Sequence, residues 1–175
     1  MFIAWARKET QNPKLRLPTW AEWTRAAHGG HAKREPDDFD AQGDPGYSWP
    51  WGNKVDVHGC NNRNFIENQG HAPKPQNVTR RYSYDFGRSR RDLLNMAGNA
   101  AEWTENIARY YNVDAAGTLF VVRNPAEEAI AQRAFVCGGS FIHGLDDCKT
   151  TWREALFKTR RLPWVGFRLA TESGL

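Results

Sequence analysis

A chain of 175 residues with eight tryptophans, nine phenylalanines and five tyrosines has the apolar bulk for one core, which excludes a disordered chain and leaves little room for two independent domains. Its formal net charge of +4 and mean hydropathy of -0.73 select no partner class, because so small a basic excess is common. No apolar run approaches the ~20 residues of a membrane span, and the chain becomes charged at Arg7, too early for a signal peptide, so a cytoplasmic protein is expected.

Phe2, Ile3, Trp5 and Ala6 fall on roughly one side of a short helix over residues 2–9, which Asn12-Pro13 stops. Thr19-Trp20-Ala21-Glu22 then has the spacing of a capping box, where hydroxyl and carboxylate each bond the other residue's amide. A second helix follows, with Trp20, Trp23 and Ala27 on one face and Gly29-Gly30 as its stop.

From His31 to Asn95 sustained periodicity is missing, and Pro, Gly, Asn and Asp separate the aromatic anchors Tyr47, Trp49, Trp51 and Phe65. Loops this long need bound ions or buried tryptophans to hold them. Residues 37–44 begin like a calcium-binding EF-hand loop. Counted from Asp38, however, Trp49 takes the place of the bidentate Glu, so a solvated loop is expected. Residues 80–91 interleave arginines with aromatics as nucleic-acid surfaces do. Asp85 and Asp92 favour instead a loop pinned by ion pairs, and nucleic acid ranks last among the partners.

Strands are predicted over residues 118–122, 134–137 and 165–169 from their β-branched and aromatic content. Cys60, Cys137 and Cys148 have the spacing of neither a zinc site nor a disulfide framework, and read as reduced structural thiols. His28, His31, His58 and His71 lack the spacing that sets two imidazoles on one helical face. Neither a G-x-S-x-G elbow nor a phosphate-cradling glycine loop is present.

Four blocks remain: Arg16-Leu17-Pro18-Thr19-Trp20-Ala21-Glu22-Trp23; Trp49-Pro50-Trp51-Gly52-Asn53; Asn95-Met96-Ala97-Gly98-Asn99-Ala100-Ala101-Glu102-Trp103-Thr104; and Cys137-Gly138-Gly139-Ser140-Phe141 with Gly166-Phe167-Arg168-Leu169-Ala170. In content and order they resemble the formylglycine-generating-enzyme, or sulfatase-modifying-factor, family, a variant of the C-type-lectin fold. The resemblance covers the C-terminal two-thirds of such a domain. It implies an α+β, loop-rich fold over residues 1–175, with short helices around a small antiparallel sheet. The family's first strands precede the Arg16 block. The expectation is therefore a subunit or fragment in an assembly: either the fold tolerates the loss of those strands or another chain supplies them.

The resemblance also bears on chemistry. A turn at Gly98-Asn99 can aim carbonyls and the Asn99 side chain inward while Glu102 adds a carboxylate, an oxygen set that suits calcium. Members of the family often hold such loops with calcium. The competing reading pairs Glu102 with an arginine. Oxidases of the family resemble G-G-S-x-x-C-x-x-x-x-C, in which two thiolates bind copper. The corresponding residues here are His143 and Cys148, so one thiolate is missing and loss of that activity is expected.

Two functional expectations follow. One is a non-catalytic module that binds a protein or peptide through Phe141, Ile142, Trp152, Arg160 and Trp164, in the segment where relatives vary their ligand contacts. The alternative is a copper-dependent oxidase that converts a peptide cysteine into formylglycine, with Cys148 and His143 at the metal.

Overall fold

The computed structural model describes residues 2–28, 47–64, 77–107, 111–113, 119–121 and 132–171. The acidic run at 37–44, Phe65 and the Gly29-Gly30 stop lie outside them.

Helix α1 (Phe2–Glu9) carries Arg7 and Lys8 in its last turn, where cations offset the exposed carbonyls. The Thr10 amide and hydroxyl both donate to the Ala6 carbonyl, Gln11 turns to φ 53°, and Pro13 follows. Its apolar face is less buried than the pattern implies. Only Ala6 is buried, while Phe2 lies on the Phe167 ring at 4.8 Å and Trp5 on Phe2 at 5.3 Å, all three rings partly in solvent.

Helix α2 (Trp20–His28) starts at the predicted box: the Glu22 amide donates to Thr19 Oγ1 at 3.2 Å and the Thr19 amide to Glu22 Oε2 at 2.8 Å. Arg16 grips the same carboxylate with two bonds of 2.7 and 2.6 Å, which holds the Glu22 carboxyl at about 2. Trp23, Thr24 and Ala27 form the buried face.

Among the described residues six strands follow: β1 (Ala101–Ile107), β2 (Tyr111–Val113), β3 (Leu119–Val121), β4 (Arg133–Cys137), β5 (Arg153–Phe157) and β6 (Val165–Phe167). Strands β2 and β3 form an antiparallel pair. The other four make one sheet in the order β5-β4-β1-β6. This sheet is mixed, a correction to the antiparallel expectation: β4 runs antiparallel to β1 and β5, but β6 runs parallel to β1. The chain must cross from one edge strand, β5, to the other, β6, to achieve this. Next to β6, Arg16 and Ala170 exchange two main-chain hydrogen bonds of 2.9 and 2.8 Å. The Glu105 amide bonds the Pro18 carbonyl, tying the lead-in of α2 to β1.

Among the described residues two apolar clusters fill the interior. Trp23, Ala27, Met96 and Cys137 join α2 to the sheet, while Trp49, Cys60, Ala97, Leu145 and Cys148 join three loops. The consecutive residues Met96 and Ala97 enter different clusters, so the loop before β1 is shared between them. The indole of Trp49 donates to the Leu145 carbonyl at 3.1 Å, which is how a buried tryptophan anchors irregular chain. The basic loop is pinned as its acids suggest, with Arg88 paired to both Asp85 and Asp92.

Candidate functional site at one end of the sheet

Strand direction brings the motifs together. Glu102 lies opposite Cys137 and Gly166, and Cys137 lies opposite Arg153, so one row crosses all four strands. Because β4 ends where β1, β5 and β6 begin, the Asn99 turn, the Gly138-Gly139-Ser140 loop, Trp152 and Trp164 share that end of the sheet.

Glu102 is buried, and its charge is met by protein. Arg168 reaches both carboxylate oxygens, with Nη2 at 2.7 Å from Oε1, and the Trp23 indole donates to Oε2 at 2.7 Å. The same guanidinium donates to the Leu94 and Asn95 carbonyls, each at 3.2 Å. Asn99, at φ 63°, points elsewhere: its Oδ1 accepts from the Thr79 amide at 2.8 Å and from Asn61 Nδ2 at 3.2 Å. A guanidinium already holds the carboxylate, and amide donors occupy the side-chain oxygen. Asn99 and Glu102 therefore do not fit a calcium ion, and the arginine pairing describes Glu102 instead.

The glycine loop is shaped by close approach. Gly139 takes φ 65°, and a Cβ there would lie 2.5 Å from the Asp147 carbonyl oxygen and 2.9 Å from Cys148 Sγ. Gly98 bonds the Gly138 carbonyl at 2.7 Å, and Phe141 bonds the Asn99 carbonyl at 3.1 Å, so the two motif loops are stitched together.

Beyond the glycines, Ser140 is buried and its hydroxyl lies 2.7 Å from His143 Nδ1. The His143 ring rests on Trp152 with centroids 4.9 Å apart, and its carbonyl accepts the Arg63 amide at 2.9 Å. Burial pushes the imidazole below the ordinary histidine value, opposed by Asp147 and Glu154. Cys148 is fully buried and its thiol sits against that of Cys60; this contact and burial raise it well above the usual thiol value. His143 is bonded to Ser140 and Cys148 to Cys60, a poor match to a paired-thiolate copper centre. The sulfur beside Cys148 belongs to a residue that spacing alone classed with the isolated thiols. Cys137 is likewise pushed far up, by burial and then by Glu102.

Of the five predicted contact residues, Phe141 is a core residue at 4% exposure and offers no ligand surface. Ile142, Trp152 and Trp164 are half-buried and Arg160 is exposed. Trp152 immediately precedes edge strand β5 and Trp164 immediately precedes edge strand β6. The main chain of Trp164 is fixed by the Ala101 amide at 2.9 Å. Three inter-strand spacings separate those edges, about 14 Å. Sequence reading had both tryptophans but not this bracketing, because β1 and β5 were not recognised as strands.

Short helices, a small mixed sheet and glycine-shaped loops around an arginine–glutamate pair define a formylglycine-generating-enzyme-like α+β fold. The family model described as the Sulfatase-modifying factor enzyme 1-like domain matches residues 1–173, and the chain belongs to that family. Among solved structures, Treponema denticola variable protein 1 is 21% identical with a TM-score of 0.58, covering 90% of this chain and 47% of that one. PvdO from Pseudomonas aeruginosa is 19% identical with a TM-score of 0.56, covering 98% and 57%. CarF is 20% identical with a TM-score of 0.54, covering 91% and 48%. The chain thus spans about half the length of these proteins. No curated protein sequence matches it.

Proposed function

We propose that this chain is a non-catalytic module of the sulfatase-modifying-factor family that binds a protein or peptide across the end of its sheet, within a larger assembly. The bracketing of that end by Trp152 and Trp164 carries the reading. Half-exposed indoles on rigid strand edges are the side chains that anchor recognition surfaces, and about 14 Å suits an extended peptide of four or five residues. Ile142 sits on the loop after β4, and Arg160 adds a cation to the β5–β6 connection. By contrast, the side chains best suited to chemistry are engaged internally: Glu102 by Arg168, His143 by Ser140 and Trp152, Cys148 by Cys60. The partly exposed rings of Phe2, Trp5 and Phe167 support the assembly, since they leave apolar surface beside strand β6, at the sheet's edge.

A displayed library of random peptides tests this. Selection on the full chain should yield binders whose affinity falls at least tenfold in Trp152→Ala and in Trp164→Ala, the loss of an anchoring aromatic. In parallel, copper-loaded protein is incubated with a cysteine-containing sulfatase-type peptide and read by mass spectrometry. Conversion of the cysteine to formylglycine would replace this reading with the oxidase. Peptides that bind both variants as well as the parent would remove the sheet end as the site.

A further inference from the structure

Cys60 and Cys148 come from loops far apart in sequence, yet both are buried in one apolar cluster with Trp49, Ala97 and Leu145, at 2% and 0% exposure. Their thiols are hydrogen-bonding neighbours. Main chain passes close to each sulfur. The Cβ position of Gly98 is 3.0 Å from Cys60 Sγ, and that of Gly139 is 2.9 Å from Cys148 Sγ. Asn62 Nδ2, itself held by the Val57 and Cys60 carbonyls, lies 3.5 Å from Cys60 Sγ and orients it. The two sulfurs thus lie in one buried cluster, with Gly98 main chain beside both.

We propose that Cys60 and Cys148 are a disulfide-forming pair that staples the loop containing Trp49 and Cys60 to the loop following β4, leaving Cys137 as a free thiol. The environment chooses between the two products open to adjacent thiols. Holding a soft metal ion requires thiolates, and the surrounding Trp49, Ala97 and Leu145 side chains offer no compensation for buried negative charge. A disulfide is neutral and apolar, so the same surroundings accept it without cost in solvation. Both connected segments are irregular, and closing so long a loop restricts the unfolded chain most.

The oxidant is a small-molecule disulfide such as glutathione disulfide. One cysteine, as thiolate, attacks a glutathione sulfur and expels one glutathione thiolate, giving a mixed disulfide. The second cysteine attacks the protein sulfur of that mixed disulfide, forms the Cys60–Cys148 bond and expels the second glutathione. Two electrons pass from protein to oxidant, and the two thiol protons end on the two glutathione thiols. Since both sulfurs are buried, the exchange belongs to folding, before the loops close; the folded, reduced chain reacts slowly.

The test refolds the full chain from reduced, denatured protein, once with reduced glutathione alone and once with a mixture of reduced and oxidised glutathione. Soluble product with native near-ultraviolet dichroism is then mapped without reductant. The oxidised product should carry a cross-linked peptide pair containing Cys60 and Cys148. Its free-thiol count should fall from the three of the reduced chain to one. Its thermal midpoint should drop when reductant is added, and that drop should vanish in Cys60→Ser. Cys137→Ala should still form the cross-link and retain no free thiol. Three free thiols in the oxidised native product, glutathione left on either cysteine, or a cross-link to Cys137 would each overturn the proposal. If refolding is inefficient, the same peptide map on protein folded during expression in an oxidising compartment decides by the same outcomes.

Discussion

Arg168 caps the carboxylate of Glu102 at both oxygens, joining the residue after β6 to the second residue of β1 inside the protein. Removing one partner leaves the other charge buried. Glu102→Ala should therefore destabilise the fold by about 3 kcal/mol, and Arg168→Ala by a similar amount, with the double variant less destabilised than the sum. Urea unfolding of the four proteins measures this, and additive losses would show that the two side chains are not coupled.

The same pairing predicts the response to chelation. A protein cation already neutralises Glu102, so a calcium chelator should shift the thermal midpoint of the parent and of Glu102→Gln equally, or not at all. A chelator effect present in the parent and abolished in Glu102→Gln would restore a calcium ion at this carboxylate.

Gly139→Ala should cost about 2 kcal/mol or more, because a side chain there meets both left-handed backbone and the Asp147 carbonyl 2.5 Å away. Since the same Cβ presses on Cys148 Sγ, a second readout is available: the oxidised chain should lose more stability than the reduced one. An unfolding midpoint equal to that of the parent would mean that the loop after β4 is not held as described.

Acid should weaken the fold in two windows. His28 and His143 both have folded-state values below 6.5 because burial disfavours the imidazolium, so the unfolded chain binds the extra protons. Their contribution is complete above 6.5 and is lost as pH falls through the lowered values. Glu22, held at about 2 by Arg16, contributes above its ordinary value of 4.5 and loses that contribution between 4.5 and about 2. With the carboxylate 45% exposed, the pair is worth no more than about 1 kcal/mol. Histidine ring resonances followed by NMR should give a His143 midpoint below 6.5; a midpoint above it would reverse the sign of the first window.

What could be read in advance was local. The capped helix was legible because Thr19 and Glu22 satisfy each other within one turn, and β4 because its apolar residues run straight into a glycine pair. Strand β1 was not. Its charged and polar residues, Glu102, Thr104 and Glu105, resemble a loop until Arg168 and Trp23, distant in sequence, make a buried carboxylate tolerable. Strand β5 was hidden similarly, since Arg153 stacks on Trp20 and Arg133 of β4 on Phe157, so cations occupy positions where apolar periodicity is sought. The bracketing tryptophans depended on both strands. Cys60 beside Cys148 depended on loop packing that no spacing rule encodes. The four ordered blocks made the family legible because they are loop and turn sequences, whose glycines and asparagines answer to fixed backbone shapes.

The paired amides and carbonyls of Arg16 and Ala170 have a mechanical consequence. A tether at either flank would load this two-bond clasp before it strained the loops near Trp152, so neighbouring segments could tug on the molecule while the far end of the sheet kept its shape.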